Sequence, residues 1–234
     1  MIICFDACVF MRRKALKILA SLAASASILS PVPAMGAENS ALIHIQNMDT
    51  SFCYSKSIKS FERDVGSSRA WYGIRSYRCL TEKYSDGKVI HRYTVSYRMT
   101  KSQAKKAWEK EKAIAQTAIR KGRRNDNDLK YIYNTVKKVK YHQGGTLDYT
   151  PYGALIRKKS SCEGIALAFY DTCMLARRSA KLVQCKVNGD NHLIVSVKTG
   201  KKWYYYDPTW DIGSRKSLFF KKSKAYMQKR KHSF

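Results

Sequence analysis

Three side chains able to build an acyl-transfer site follow one another along this chain: Cys162, His192 and Asp207. A thiol can attack a carbonyl, an imidazole can take its proton, and a carboxylate can fix the imidazole's tautomer. With 7 Cys and 5 His among 234 residues, that order alone selects nothing. Context is sharper. Cys162 lies in Ser160-Ser161-Cys162-Glu163-Gly164-Ile165-Ala166. Ser160 or Ser161 could cap a helix there, with Ile165, Phe169, Thr172 and Leu175 as its buried face. The thiol would sit in the first turn, where unpaired N–H groups and the helix dipole favour thiolate. Gly164 would leave room beside the sulfur for substrate backbone. The competing reading of Cys162 is a small buried core residue.

The other two residues fall on an expected hairpin. Asn188-Gly189 and Thr199-Gly200 are turn signals, the first stronger than the second. Between and after them run His192-Leu193-Ile194-Val195-Ser196-Val197 and Lys202-Trp203-Tyr204-Tyr205-Tyr206. A two-residue Thr199-Gly200 loop pairs Lys198 with Lys201 and so sets His192 directly across from Asp207. Cross-strand partners share a face, with Cβ atoms about 4.5–5.5 Å apart. A slip of one residue would abolish the contact.

Tyr152-Gly153-Ala154-Leu155, Cys162-Glu163-Gly164, Asn188-Gly189-Asp190-Asn191-His192 and Tyr206-Asp207-Pro208-Thr209-Trp210-Asp211 together resemble the bacterial transglutaminase-like superfamily. Leu218-Phe219-Phe220-Lys221-Lys222-Ser223, followed by Met227 and His232, resembles the way such domains end. The resemblance covers roughly residues 90–234. It implies an α+β fold with a papain-like core: a nucleophile helix led by Cys162 against an antiparallel sheet carrying His192 and Asp207. It implies cysteine-dependent attack on amide bonds of a peptide or protein substrate through a thioester, with hydrolysis and transamidation both open. The segment from His142 to Tyr152 would line the cleft. Tyr152, Gln143 or His142 would supply the second oxyanion donor beside the Cys162 N–H, and Trp210 would belong to an aromatic wall. One departure concerns substrate preference. The family often has His-Ala-Trp-Asn, whereas here His192 is followed by Leu193-Ile194-Val195.

The elements that must hold these residues can be read in outline. Residues 38–70 read as polar and irregular, and no function follows from them. From Ile74 the pattern is extended, Ser85-Asp86-Gly87-Lys88 marks a turn, and Tyr93, Val95, Tyr97 and Met99 alternate as in a half-buried strand. Thr100 and Gln103 form a capping-box signature. The helix they open carries Ala104, Ala107, Trp108, Ala115 and Ala118 on one face and stops at Gly122. Asp126 or Asn127 starts a second helix with Leu129, Ile132, Tyr133 and Val136 inward and Lys130, Lys137, Lys138 and Lys140 in water. Asp148 reads as a turn residue, and Glu163 as a charge favouring the helix start. Trp203 and Tyr204 to Tyr206 read first as core packing, and Lys221 to Lys231 as a solvated basic terminus. The organisation expected is 1–37 leader, 38–89 extension with a small hairpin, and 90–234 main domain.

Met11-Arg12-Arg13-Lys14 would make a signal-peptide n-region and a possible true start. Residues 18–32 are uncharged and rich in Ala, Leu and Ser, and small residues at 34–37 offer cleavage sites. Export to the cell surface or beyond is the expectation. Of 45 Lys and Arg and 17 Asp and Glu, the first 37 residues hold four and one. The remaining 41 and 16 leave a net charge of +25. Such charge suits an anionic wall polymer or membrane surface. No segment interleaves Arg with aromatics as a nucleic-acid reader does, so nucleic acid is not expected. Five cysteines lie beyond residue 37. With Cys162 reserved, Cys53–Cys79 and Cys173–Cys185 are the local disulfide pairings, although Cys173 and Cys185 read equally well as reduced core thiols. No Cys-x-x-Cys or His-x-x-x-His spacing suggests a metal, and no cofactor is expected. The alternative to an enzyme is a catalytically silent basic module that binds cell-wall or other polyanions.

Overall fold

A computed structural model describes residues 5–9 (backbone only), 41–54, 58–66 and 68–234 of the chain. The expected n-region, apolar stretch and cleavage positions between 11 and 37 lie outside the described residues. The chain divides into two compact units, Met1–Tyr97 and Arg98–Phe234. The division falls after the second hairpin strand, which belongs with the first unit. Among the described residues no helix is long and apolar enough to cross a membrane.

The first unit contains β1 (Phe5–Val9), α1 (Ala41–Gln46), β2 (Ser51–Tyr54), α2 (Ile58–Gly66), β3 (Ile74–Lys83) and β4 (Val89–Tyr97). Its antiparallel sheet has the order β1-β3-β4-β2. The alternation in β4 turns Tyr93 and Val95 inward onto Phe52, Phe61 and Tyr77, with Phe61 and Tyr93 ring centroids 4.4 Å apart. Tyr54 and Tyr77 donate to Asp64 at 2.6 Å and Glu62 at 2.8 Å, tying α2 to the sheet. The region expected to be irregular therefore holds two helices and a strand. Each buries only an i, i+4 pair, Ala41 with Ile45 and Phe61 with Val65, too short a run to register as a period. Cys53 and Cys79 flank β4, opposite Arg92 and Tyr93. Two strand spacings, about 9.5 Å, exceed the span of a disulfide. Cys53, Cys79, Cys162, Cys173 and Cys185, whose side chains are described, are all free thiols.

The second unit is α+β. Helices α3 (Lys101–Lys121), α4 (Asn127–Val136) and α5 (Cys162–Leu175) precede a sheet of β7 (Ala180–Val187), β8 (Asp190–Thr199), β9 (Lys202–Tyr206) and β10 (His232–Ser233). Its antiparallel order is β10-β7-β8-β9. A short parallel pair, β5 (Lys140–Tyr141) and β6 (Lys159–Ser160), precedes α5. The capping box at Thr100 and Gln103 opens α3, and Gly122 closes it. Ala107, Ile114, Ala115 and Ala118 face inward. Trp108, expected among them, is exposed, and Glu111 takes an inward position instead. Leu129, Ile132, Tyr133 and Val136 of α4 are buried as the period requires. Asp126 stands at the N-cap without capping; its carboxylate receives Lys221 at 2.5 Å.

The basic tail is folded, and Lys224, Lys229, Arg230 and Lys231 are exposed on it as expected. It forms α6 (Lys224–Lys229) and β10, with Met227 and His232 fully buried. Tyr206 packs 5.5 Å from Phe169 and 5.1 Å from Phe220, so the tyrosine run serves the core first.

Candidate active site

The turn before α5 is built from carbonyls and small residues. Ser160 is drawn against β5, whose neighbour His142 donates its N–H to the Ser160 carbonyl at 2.9 Å. Ser161 stands at the N-cap, but its side chain makes no capping hydrogen bond. Ser160 Oγ, Ser161 N and Ser161 Oγ all donate to the carbonyl of Asp148, at 2.7, 2.9 and 3.2 Å. The Asp148 carboxylate in turn collects His142 Nδ1 at 2.6 Å and the N–H groups of Gly144 and Gly145. Burial works against its charge, but these donors hold its pKa below the usual range. Asp148 is thus the residue that shapes the cleft loop. Gly164 has a different purpose from the expected one. A Cβ there would stand 2.6 Å from the Asp148 carbonyl and 2.7 Å from that of Thr150. It admits the protein's own loop, not substrate. Gly164→Ala is expected to cost about 3 kcal/mol in urea denaturation and to disturb Cys162 with it.

Cys162 leads α5 and is buried. Glu163 beside it points away into an ion pair with Arg98, 2.7 Å long. His192 extends from β8, and Asp207 follows the last residue of β9. His192 Nε2 lies 2.8 Å from Asp207 Oδ2. Cys162 lies close enough to the same imidazole to act on its charge. With Nε2 occupied by the carboxylate, Nδ1 is the nitrogen left for sulfur. Burial opposes the imidazolium, but Asp207 and Cys162 raise the His192 pKa to about 10. Asp207 is completely buried, which would raise its own pKa, yet the two imidazoles facing it bring it below the usual range. Its other oxygen, Oδ1, accepts from the N–H groups of Thr209 and Trp210 at 3.0 and 3.3 Å.

The contact forms in a different register from the expected one. The loop is Gly200-Lys201, with Thr199 paired to Lys202 and Val195 to Tyr206. Gly200, at φ 61°, takes the first loop position, where positive φ is needed. The shift is two residues, so every side chain keeps its face. Asp207 then extends the ladder opposite Ile194 and reaches His192 along the diagonal, a distance long polar side chains can span. Asn188-Gly189 forms the expected two-residue turn, both residues at positive φ.

Three further residues complete the site, two of them not foreseen. Tyr141 of β5 places its hydroxyl near enough to Cys162 for the sulfur to act on it. Desolvation of that hydroxyl, and then the sulfur beside it, raise its pKa to about 12. Gln143 donates to the same hydroxyl at 2.6 Å, so this candidate acts through Tyr141. His232 of β10 places Nε2 2.9 Å from Asp207 Oδ2. Trp210 lies over His232, ring centroids 5.7 Å apart, while remaining part-exposed. Tyr152 heads the π-helical turn Gly153–Arg157, and His142 is engaged with Asp148. Asp211, the second acid of Asp-Pro-Thr-Trp-Asp, is buried and structural. It accepts from Tyr133 and from the N–H groups of Leu218 and Phe219, closing the 207–219 loop. His192, Asp207 and His232 each offer one ligand atom within 4.8 Å of the others. Two hydrogen bonds to one oxygen already produce that spacing.

No protein-family model matches the chain, and no curated protein matches it. A solved structure described as "Crystal structure of a TGase" aligns with 76% of this chain at 14% identity, with a TM-score of 0.41. The alignment spans 55% of the length of that structure.

Proposed function

We propose that this is an exported cysteine-dependent enzyme that transfers the acyl group of an amide in a peptide or protein. The observation that carries the reading is the His192 imidazole, whose Nε2 lies 2.8 Å from Asp207 Oδ2 and whose pKa is raised by the nearby Cys162 as well as by Asp207. That arrangement selects the tautomer able to take a thiol proton. It also supports the imidazolium that results.

The proposed steps use these groups in turn. The Cys162 thiolate attacks the amide carbonyl carbon, and the carbonyl oxygen becomes an oxyanion. The Cys162 N–H, in the first turn of α5, has no intrahelical acceptor and is one donor to it. Tyr141 O–H, itself accepting from Gln143, is the other. His192 gives its proton to the leaving amine as the C–N bond breaks, and a thioester remains. Water or a second amine, deprotonated by His192, attacks the thioester and returns the thiol. Nothing in this machinery chooses between water and amine.

Incubating the protein with glutamine-containing peptides, with and without a primary amine, tests the reading by mass spectrometry. Acid or amide product, with a thioester trapped on Cys162, is the expected result. Absence of both product and Cys162 adduct across such a panel overturns it. Tyr141→Phe is expected to lower kcat about 10²-fold with little change in KM, the effect of losing one oxyanion donor.

A further inference from the structure

We propose that His232 is a positioning residue of this site: a buried, doubly protonated imidazole that holds Asp207 and balances its charge. This rests on reading Cys162, His192 and Asp207 as a catalytic triad. The side chain of His232 is completely removed from solvent. Its Nε2 is 2.9 Å from Asp207 Oδ2 and its Nδ1 is 3.1 Å from the carbonyl of Arg230. A carbonyl can only accept. Asp207 is already the acceptor for His192 Nε2 at 2.8 Å on one oxygen and for two backbone N–H groups on the other. Every other donor around the carboxylate favours its anion, so the shared proton belongs to His232. Both ring nitrogens then donate, which requires the imidazolium.

A buried cation is tolerated only when paired and hydrogen-bonded, and the surroundings meet that condition. From β10, the ring faces Asp207 beyond β9 and His192 on β8, whose ring centroid is 5.8 Å away. On β7, Cys185 is close enough to feel the Asp207 charge, which helps to raise its thiol pKa. Trp210 and Phe219 cover the ring at 5.7 and 5.6 Å and carry no charge. β10 itself is fixed by pairing His232 with Val187.

The consequence is electrostatic as well as steric. Without a second cation, the full charge of Asp207 would bear on His192 and, beyond it, on the thiolate. His232 cancels part of that field. It keeps His192 from binding its proton too tightly to release it to a leaving group, and it favours the thiolate. His232→Gln keeps an N–H donor but removes the charge. Both limbs of the pH–rate profile are therefore expected to move upward together, by about one pH unit. The acid limb of Cys162 alkylation, followed down to pH 4, should move upward by the same amount. His232→Phe keeps ring volume without either donor and is expected to lose about 10²-fold in activity at all pH values.

The test combines these two variants with nitrogen-15 spectroscopy of the histidines in wild type at pH 8. Two protonated ring nitrogens on His232, with both limbs displaced in His232→Gln, is the expected result. One bare ring nitrogen on His232 overturns the assignment even where the variants fail to fold. A folded His232→Gln with an unshifted profile also overturns it, leaving a packing role. Stoichiometric zinc in the purified protein, with reactivity lost to a chelator, overturns it in favour of a metal set. If wild-type Cys162 itself lacks reactivity below pH 7, the triad reading has failed, whatever the nitrogen spectra show.

Discussion

Iodoacetamide at pH 5.5 is expected to label Cys162 about ten times faster than any other thiol of this chain. The magnitude comes from two opposed effects. At that pH an imidazolium-paired cysteine gains about 10³ in thiolate fraction over a free thiol. It loses about 10² in intrinsic nucleophilicity, because nucleophilicity falls with pKa. The remaining cysteines make the contrast larger. Burial pushes the Cys79 thiol up, pushes Cys173 well up, and pushes Cys185 to about 12. Cys53, half-buried on β2, is the accessible control. His192→Ala should remove the selectivity and bring Cys162 to the rate of Cys53 or below. It should also lower turnover about 10⁴-fold or more. Peptide mass spectrometry across pH 4–9 reads both. Labelling of Cys162 only above pH 8, regardless of residue 192, would exclude the enzyme and return attention to binding of anionic polymers by the basic surface.

What could be read in the sequence was mostly local and periodic. The helix that presents Cys162 is fourteen residues long and mostly apolar or small, Glu163, Tyr170 and Asp171 excepted. The α4 period and the Thr100 capping box are equally plain. Asn188-Gly189 could specify its turn alone, because both loop residues need positive φ and both can adopt it. Thr199-Gly200 could not. Only one glycine is present, and its best place is the first loop position, which moves the register by two. The contact survived because side-chain parity, not the individual pairing, decides which face His192 and Asp207 share.

Tyr141 and His232 escaped for a different reason. Both reach the site from elements two residues long, and neither β5 nor β10 has enough length to show an alternation. The signal that could have found His232 is chemical: it is a histidine set among the lysines and arginines of the tail. Gly164 was legible as a close approach, but not what approaches. That depends on the 148–150 loop, held by Asp148 through its own carbonyl and carboxylate.

Asp207→Asn is the substitution expected to do the most damage per atom changed. The carboxylate takes two imidazole N–H groups on Oδ2 and two backbone N–H groups on Oδ1. An amide offers one acceptor and one donor, so either orientation sets NH₂ against N–H. If the NH₂ faces His192, that ring must accept at Nε2, and its Nδ1 then carries a proton toward the sulfur. It can no longer act as base, and activity should fall about 10⁴-fold. If it faces the backbone, the Asp-Pro-Thr-Trp turn opens. Both outcomes leave His232 buried without its anion, which is expected to cost about 3–5 kcal/mol. The pH dependence of that loss is specific. Asp207, with its folded pKa depressed, stabilises the fold above about pH 3.9 and loses this as pH falls through the folded value. His192, raised to about 10, contributes fully below about pH 6.5 and loses its contribution as pH rises through 10. The stability difference between wild type and Asp207→Asn should therefore peak between about pH 4 and 6.5 and shrink toward either extreme. Urea denaturation at intervals from pH 3 to 10 measures it. A difference that stays flat over that range, together with activity within tenfold of wild type, would mean that Asp207 is neither the orienting acid of His192 nor the anion of His232.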